Sequence, residues 1–396
     1  MFSIINAKII TPFRVIENGY VSIEDSQIVA VEESTDWPKA GFTHEIFDAQ
    51  GLYLSPGFID IHVHGGGGSD FMDNDINAFI NIAETHARFG TTSMLPTTLT
   101  SERGLLQETF EVYARSLEKN KKGAKFCGLH LEGPYFAMEQ RGAQDPRYIK
   151  NPTPQEYEPI LMKYKHLIAR WSAAPELPGA LAFGQRVCEE GILLALGHTN
   201  AIYEEIVKGV EAGFRLATHL YSGMSGMTRR NAYRYAGAIE SCLLLDDIDV
   251  EIIADGIHLP EPFLKLIAKV KAKSQIILIT DAMRAAGTDT KESVLGSKEN
   301  GIAVVVEDGV AKLADRSAFA GSVATADRLI RTMRDMAGLE LQDAVQMLTI
   351  NPARILGLQH QIGAVRKGLK ADLILFDEKI QVQKTMVEGR FVYEKK

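Results

Sequence analysis

Short apolar runs rich in β-branched residues alternate along the chain with segments whose apolar residues recur at helical spacing. Segments such as INAFINIAETHARFG, AIYEEIVKGVEAG and EPFLKLIAKVKAK are predicted helices. Eight runs are predicted strands: LYLSPGFIDIHVH, TTSMLPTT, FCGLHLEGP, LIARWSAAPE, GILLALGHTN, FRLATHLYSG, VEIIADGIH and SQIILITDAM. Strands that alternate with helices pair in parallel through right-handed crossovers, and eight such units are the number in a closed (β/α)8 barrel. An open doubly wound sheet is the alternative, but no G-x-G-x-x-G follows the first strand.

The two ends of the chain have a different pattern. Residues 1–54 are predicted to form strands and turns, with Asn18-Gly19 as a turn, and residues 359–396 are predicted to do the same. Neither end has enough apolar surface for a core of its own, so we expect both to combine in one small β-sandwich domain. Residues 55–358 then form the barrel, which ends with the predicted helical segments ATADRLIRTMRDMAG and LQDAVQMLTINPARILG.

Composition narrows the class of protein. The formal net charge of −8 argues against nucleic acid as a partner, and no apolar stretch approaches the length needed to cross a membrane. The first residues lack the pattern of a signal peptide. The three cysteines show no C-x-x-C spacing, which argues against disulfides and thiolate metal sites. A cytoplasmic location is expected.

Histidines and carboxylates gather at the carboxyl ends of the predicted strands, where (β/α)8 enzymes have their active sites. His62 and His64 lie one residue apart on a strand, so they face the same way. Further candidates close later strands: Glu132 in LHLE, His198 in GHTN, His219 in THLY, His258 in ADGIH and Asp281 in ITDAM. We interpret Glu132, His198, His219, His62 and His64 as metal ligands. His130 lies deeper in its strand and is either a ligand or structural.

Imidazole and carboxylate ligands without thiolates suit Zn²⁺, Fe²⁺, Mn²⁺ or Co²⁺. Such an ion lowers the pKa of a bound water and polarises a carbonyl, so the pattern predicts metal-assisted hydrolysis. Asp281 is the candidate general acid and base, although an aspartate at this position also caps helices.

Two loops have the residues to bind a substrate. MTRRNAYRYAG places Arg229, Arg230 and Arg234 after the His219 strand. Two interpretations are open: the arginines bind the phosphate or carboxylate of a substrate, or they form a solvated basic surface. Gly321 and Ser322 precede a predicted helix, whose first N–H groups attract anions, although capping by Ser322 explains them equally well.

These motifs, GFIDIHVHGGGG, HLEGPY, GHTNA, ATHLYSGMSG, IADGIHL and ITDAM, resemble in order those of the N-acetylglucosamine-6-phosphate deacetylases of the amidohydrolase superfamily. The resemblance covers nearly the whole chain. It implies a (β/α)8 barrel with a small β domain, and removal of acetate from an N-acetylhexosamine 6-phosphate. A cyclic amidase of the dihydroorotase kind is a rival, but such relatives use a carboxylated lysine that LIARWSAAPE lacks.

The resemblance also implies roles for individual residues. Glu132, His198 and His219 would hold the main ion, His62 and His64 a second, and Asp281 would be the acid and base. A homodimer is implied, because relatives supply the phosphate-binding arginine from the neighbouring subunit. The implied substrate-binding positions are Ala143, Gln144, Ser222, Gly223, Arg230, His258, Phe319, Ala320, Gly321 and Ser322.

Three positions depart from the family pattern. Ser222-Gly223 stands where Asn-Ala is usual, RRNAYRYAG differs from the common R-E-P-G loop, and Gln144 replaces a histidine found in some members. The first two leave open that the substrate is an N-acetylgalactosamine phosphate. The second also leaves open the choice between Arg229 and Arg230. A catalytically silent sugar-phosphate sensor is the rival from another class, and the intact ligand set argues against it.

Overall fold

The computed structural model describes residues 1–33 and 45–395. Apolar strands and amphipathic helices alternate through its centre, as the sequence pattern predicts. The strands are β1 (Phe2–Ile10), β2 (Val15–Glu24), β3 (Gln27–Glu33), β4 (Glu45–Asp48), β5 (Tyr53–Pro56), β6 (Phe58–Val63), β7 (Gly65–Gly66), β8 (Ser69–Asp70), β9 (Thr91–Thr98), β10 (Lys125–Phe126), β11 (Leu129–Glu132), β12 (Ile168–Ala173), β13 (Leu193–Leu196), β14 (Leu216–Ala217), β15 (Thr228–Arg230), β16 (Tyr233–Tyr235), β17 (Asp249–Ile253), β18 (Ile276–Ile279), β19 (Glu292–Leu295), β20 (Ile302–Glu307), β21 (Val310–Leu313), β22 (Leu373–Phe376), β23 (Val382–Val387) and β24 (Arg390–Glu394).

The helices carry one buried apolar stripe each and pack against the strands. They are α1 (Ile76–Ala87), α2 (Arg103–Lys119), α3 (Pro154–Tyr164), α4 (Ala180–Glu189), α5 (Tyr203–Glu211), α6 (Ala238–Leu244), α7 (Glu261–Val270), α8 (Ala326–Asp335), α9 (Leu341–Met347) and α10 (Ile350–Ile355). The predicted segment LQDAVQMLTINPARILG is thus two helices, α9 and α10. Among residues 1–33 and 45–395, no helix has both the length and the apolar character to cross a membrane.

Eight parallel strands form the predicted barrel, in the order β6, β9, β11, β12, β13, β14, β17 and β18. The first and last strands close it, because the N–H of Asp281 donates to the carbonyl of His62 at 3.0 Å and the N–H of His64 donates to Ala282 at 2.9 Å. Each of the eight predicted runs supplies one barrel strand, so the predicted fold class is confirmed.

The strands of both chain ends form one separate sheet, in the order β24, β23, β22, β5, β1, β2 and β3, with β4 beside β1. The sheet folds back on itself, since Phe391 on β24 contacts Phe2 on β1 and Phe47 on β4. The two layers enclose their own apolar cluster. This sheet includes β5, so its N-terminal part extends to Pro56, two residues beyond the predicted limit.

The predicted turn at Asn18-Gly19 is wrong. Both residues lie inside β2, which pairs with β1 on one edge and β3 on the other. A Cβ on Gly19 would lie 2.5 Å from Cδ1 of Ile9, so glycine serves here for close packing rather than for a turn. The actual reversals are at residues 11–14, where the N–H of Thr11 donates to Arg14, and at Asp25, whose φ is 54°.

Three further small sheets were not predicted, and the smallest is the antiparallel pair of β7 and β8. The arginine segment, expected to be a loop, is an antiparallel hairpin of β15 and β16. Strands β19, β20 and β21 form a three-stranded sheet, hereafter the inserted sheet, between the last barrel strand and α8. Arg284 fastens this sheet to the glycine-rich segment after β6, because its guanidinium binds the carboxylate of Asp73 and the carbonyls of Gly68 and Gly296.

We predict that Phe183→Ala lowers the free energy of unfolding by about 3 to 5 kcal/mol, because large cavities in a packed core cost this much. The ring of Phe183 is fully buried and contacts Tyr135, Tyr157 and Trp171. Chemical denaturation measures the loss. Leu181→Ala on the same helix is the control, since Leu181 is 36% exposed, and equal destabilisation by both variants would contradict the packing argument.

Candidate active site

The predicted ligands meet at the carboxyl ends of the barrel strands. Glu132 ends β11, and His198, His219 and Asp281 each follow a barrel strand by two residues. These three residues have positive φ angles of 48°, 32° and 49°, which non-glycine residues rarely adopt. Strained backbone of this kind persists where the surrounding structure holds it, and it concentrates at functional sites. All the ligand candidates are nearly or fully buried.

Glu132, His198 and His219 form one group of metal-type donors. Oε1 of Glu132 lies 3.2 Å from Nε2 of His198 and 3.0 Å from Nε2 of His219. Nδ1 of His198 donates to the carbonyl of Gln140 at 2.8 Å, and Nδ1 of His219 donates to the carbonyl of Ser222 at 3.2 Å. A carbonyl only accepts, so each Nδ1 carries a proton and each ring is oriented with Nε2 facing the Glu132 carboxylate. A cation bound between them fits this donor set.

His62 and His64 form a second group with the same Glu132. Their Nε2 atoms lie 3.3 Å apart and face the Glu132 carboxylate at 3.6 and 3.4 Å. Oδ1 of Asp281 lies 3.5 Å from Nε2 of His62 and 3.2 Å from Nε2 of His64. Within the described ranges, Oδ1 of Asp281 and Nδ1 of both histidines have no hydrogen-bond partner. The geometry therefore offers two adjacent cation positions that share one carboxylate.

Burial and the facing charges set the ionisation of this cluster. Burial raises the pKa of the Glu132 and Asp281 carboxyls, but the facing imidazoles, above all that of His62, hold both pKa values below their ordinary range. Burial also lowers the pKa of His64, yet Asp281 and Glu132 more than offset this and raise it to about 10. Both carboxylates are thus charged at neutral pH, as cation binding and proton transfer require.

Gln144 ties the metal-type cluster to the surrounding loops. Its amide Nε2 donates to Oε2 of Glu132 at 2.7 Å, and its carbonyl oxygen accepts from the N–H of Thr100 at 2.9 Å. These two contacts fix the side chain at both ends. In this structure Gln144, predicted as a substrate contact, therefore also orients Glu132.

A buried ion pair within the barrel was missed by sequence reasoning. The guanidinium of Arg170 on β12 binds both carboxylate oxygens of Glu251 on β17, and both side chains are fully buried. Oε2 of Glu251 lies 3.7 Å from Nδ1 of His62. The sequence signal that could have revealed this pair is a charged residue within an apolar strand run. The pair places a carboxylate behind the ring of His62.

His130 belongs to neither donor group. Its Nε2 pairs with the hydroxyl of Ser172 at 2.7 Å and its Nδ1 with the hydroxyl of Thr97 at 3.2 Å. Both ring nitrogens are therefore satisfied inside the barrel. Of the two alternatives left open for this residue, the structure favours the structural one.

The cluster opens into a cavity of about 290 Å³. His258 is positioned at its wall, because its Nδ1 donates to Asp255 at 2.8 Å and its ring packs against Phe319 with centroids 4.5 Å apart. Most of the predicted substrate contacts line this cavity: Ala143, Gln144, Ser222, Gly223, His258, Phe319 and Gly321.

Ala320 and Ser322, although predicted as substrate contacts, are not brought into the cavity lining that the structure describes. Both are fully buried. The hydroxyl of Ser322 donates to the carbonyl of Thr280 at 2.5 Å, and its N–H donates to the carbonyl of Asp281 at 2.7 Å. In this structure Ser322 therefore braces the strand end that carries Asp281.

The arginine hairpin lies outside this cavity lining. Arg229 and Arg234 are exposed and stand opposite each other in the register of β15 and β16. The backbone of Arg230 ends β15, while its side chain lies outside what the structure describes.

The chain is similar in sequence and in fold to known deacetylases. The chain is 33% identical over 389 residues to the N-acetylglucosamine-6-phosphate deacetylase of Bacillus subtilis (strain 168), covering 97% of this chain and 95% of that protein. It is 31% identical over 337 residues to the N-acetylgalactosamine-6-phosphate deacetylase of Escherichia coli O157:H7, covering 85% of this chain and 87% of that one. The crystal structure of N-acetylglucosamine-6-phosphate deacetylase from Pasteurella multocida superimposes with a TM-score of 0.90 at 29% identity, covering 98% of this chain and 99% of that chain.

The sequence profile of the Amidohydrolase family matches residues 53–392, which include every barrel strand and each candidate ligand. The chain therefore belongs to the amidohydrolase family.

Proposed function

We propose that this protein removes the acetyl group from N-acetylglucosamine 6-phosphate, giving glucosamine 6-phosphate and acetate. The observation that carries the proposal is the shared carboxylate of Glu132, which faces two pairs of imidazoles with Asp281 beside it. The relatives from Bacillus subtilis and Pasteurella multocida bear the name of this activity. The galacto epimer is the alternative substrate, because the relative from Escherichia coli is named for it.

Glu132, His198 and His219 would hold one divalent cation, and His62 and His64 with Glu132 a second. Zn²⁺ suits these imidazole and carboxylate donors best, and Fe²⁺, Mn²⁺ and Co²⁺ also accept them. When bound, the cation supplies Lewis acidity, which lowers the pKa of water and polarises the amide carbonyl.

Asp281 is the proposed general acid and base. Its charged carboxylate takes the proton from the attacking water and returns it to the nitrogen of the departing amine. His258 is the proposed sugar contact. Its Nδ1 is committed to Asp255, so a neutral ring has the Nε2 lone pair free to accept from a sugar hydroxyl.

The arginine hairpin is the proposed phosphate contact, with Arg230 preferred over Arg229. Tyr233 on the hairpin is 74% accessible, and Met227, which directly precedes β15, is 49% accessible. Apolar side chains beside exposed arginines favour burial against a second copy of the chain. We therefore propose a homodimer in which the hairpin of one subunit reaches the site of the other.

An acetate assay tests the function. The protein loaded with Zn²⁺ should release acetate from N-acetylglucosamine 6-phosphate, and more slowly from its galacto epimer. Faster release from the galacto compound would reassign the substrate. Release from neither compound would refute the deacetylase proposal and is the result expected of a silent sensor. Unphosphorylated N-acetylglucosamine is the control for the role of the phosphate and should react poorly.

Asp281→Asn should lower kcat by about 10²- to 10⁴-fold, because an amide cannot take the water's proton. The metal content should remain at the parent value, since other residues supply the proposed ligands. Steady-state kinetics and elemental analysis of the same sample measure both. Asp289→Asn, an exposed change outside the cavity, should leave both values unchanged. Parent-rate turnover by Asp281→Asn would show that Asp281 is not the acid and base.

Removal of metal should abolish hydrolysis, and added Zn²⁺ should restore it. Elemental analysis of the loaded protein should find two ions per chain, because the structure holds two donor groups. The double change His62→Ala with His64→Ala should lower this by one ion, while Glu132→Ala should lower it further, since both groups share its carboxylate. An unchanged ion count in the double variant would show that His62 and His64 hold no ion.

A further inference from the structure

The lining of the site cavity has an apolar part made by Leu99, Ala143 and Leu295. These residues pack into one apolar cluster with Met283 and Ala320. The methyl of the acetyl group is the apolar end of an N-acetylhexosamine phosphate, whereas the sugar and phosphate are polar. Apolar lining therefore suits the acyl group, while Ser222 and His258 suit the sugar.

A second cavity of about 430 Å³ adjoins the first. Leu99, Ala143, Gln144 and Leu295 line both cavities, so these four residues form the partition between them. Behind it, the apolar side chains of Met72, Leu105 and Ile302 line the second cavity together with polar and charged ones, which include Glu102, Glu108, Asp145 and Arg147.

The members of the partition are held in different ways. Gln144 is fixed by hydrogen bonds to Thr100 and Glu132, so it cannot swing aside without releasing a ligand candidate. Leu99 and Leu295 are held by packing alone. Cδ1 of Leu99 lies 3.3 Å from the position that a Cβ on Gly296 would take, so Leu99 packs closely against the inserted sheet. The two leucines are thus the parts of the partition whose removal opens it.

We propose that Leu99 and Leu295 set the length of the acyl group that this enzyme removes, and that the cavity behind them would hold a longer N-acyl chain. The inference rests on the proposed function. The chemistry is the same at every length: the amide C–N bond breaks, and water supplies a hydroxyl to the acyl carbon and a proton to the amine. Only the fit of the alkyl chain against the partition then distinguishes acetyl from longer acyl groups.

The test compares kcat/KM for N-acetyl-, N-propanoyl- and N-butanoylglucosamine 6-phosphate. The parent enzyme should lose about tenfold or more in kcat/KM from the acetyl to the butanoyl compound, because added methylenes clash with a closed partition. Leu99→Ala and, separately, Leu295→Ala should raise the butanoyl-to-acetyl ratio by at least about tenfold. Two independent variants keep the test decisive if one of them folds poorly.

Leu106→Ala is the matched control, since Leu106 is partly buried against the main core and is absent from the described lining of both cavities. It should leave the ratio at the parent value. Adding Leu105→Trp to Leu99→Ala refills the second cavity and should reverse the gain for the butanoyl compound.

The outcomes separate the two proposals. Hydrolysis of the acetyl compound with a ratio unchanged in both alanine variants would overturn the role of the partition and leave the deacetylase function standing. Equal rates on all three compounds in the parent, or the same gain in Leu106→Ala, would also overturn it. Failure of the parent to hydrolyse any of the three would overturn both the function and this inference.

Discussion

Closure of the barrel between its first and last strands is the constraint on which the site depends. The bond from the N–H of Asp281 to the carbonyl of His62 places the proposed acid and base beside the histidine pair. Thr280 reinforces the closure, since its hydroxyl donates to the buried carboxylate of Asp60 at 2.5 Å. Residues more than 200 positions apart in the chain thus share one mouth. A barrel open at this seam would separate Asp281 from the His62 and His64 pair.

Gathering these side chains has an electrostatic cost that the structure offsets locally. Two buried carboxylates repel each other, and every charge brought into the barrel loses its hydration. Arg170 compensates the buried Glu251, and the imidazoles compensate Glu132 and Asp281. Divalent cations would complete this balance, because they supply positive charge where lone pairs converge.

Much of the fold and of the candidate site could be predicted because both follow from periodic patterns. Strand and helix alternation predicts a barrel, and a barrel brings strand ends such as those of Glu132, His198 and His219 together whatever their distance in sequence. Local sequence signals were less reliable where pairing with distant strands determines the conformation. Asn18-Gly19 has the composition of a turn but lies in a strand paired on both edges. The partnership of Arg170 and Glu251 crosses the barrel interior, so spacing within either strand does not reveal it.

The inserted sheet supplies Leu295 to the mouth of the site but no strand to the barrel. The proposed acyl wall therefore draws on two structural units, because Leu295 belongs to the inserted sheet whereas Leu99 directly follows barrel strand β9. Selection can remodel one unit, by lengthening a hairpin or exchanging a side chain, while the eightfold scaffold stays folded. A change in the inserted sheet, between residues 292 and 313, can therefore alter the Leu295 side of the proposed acyl wall without altering a barrel strand.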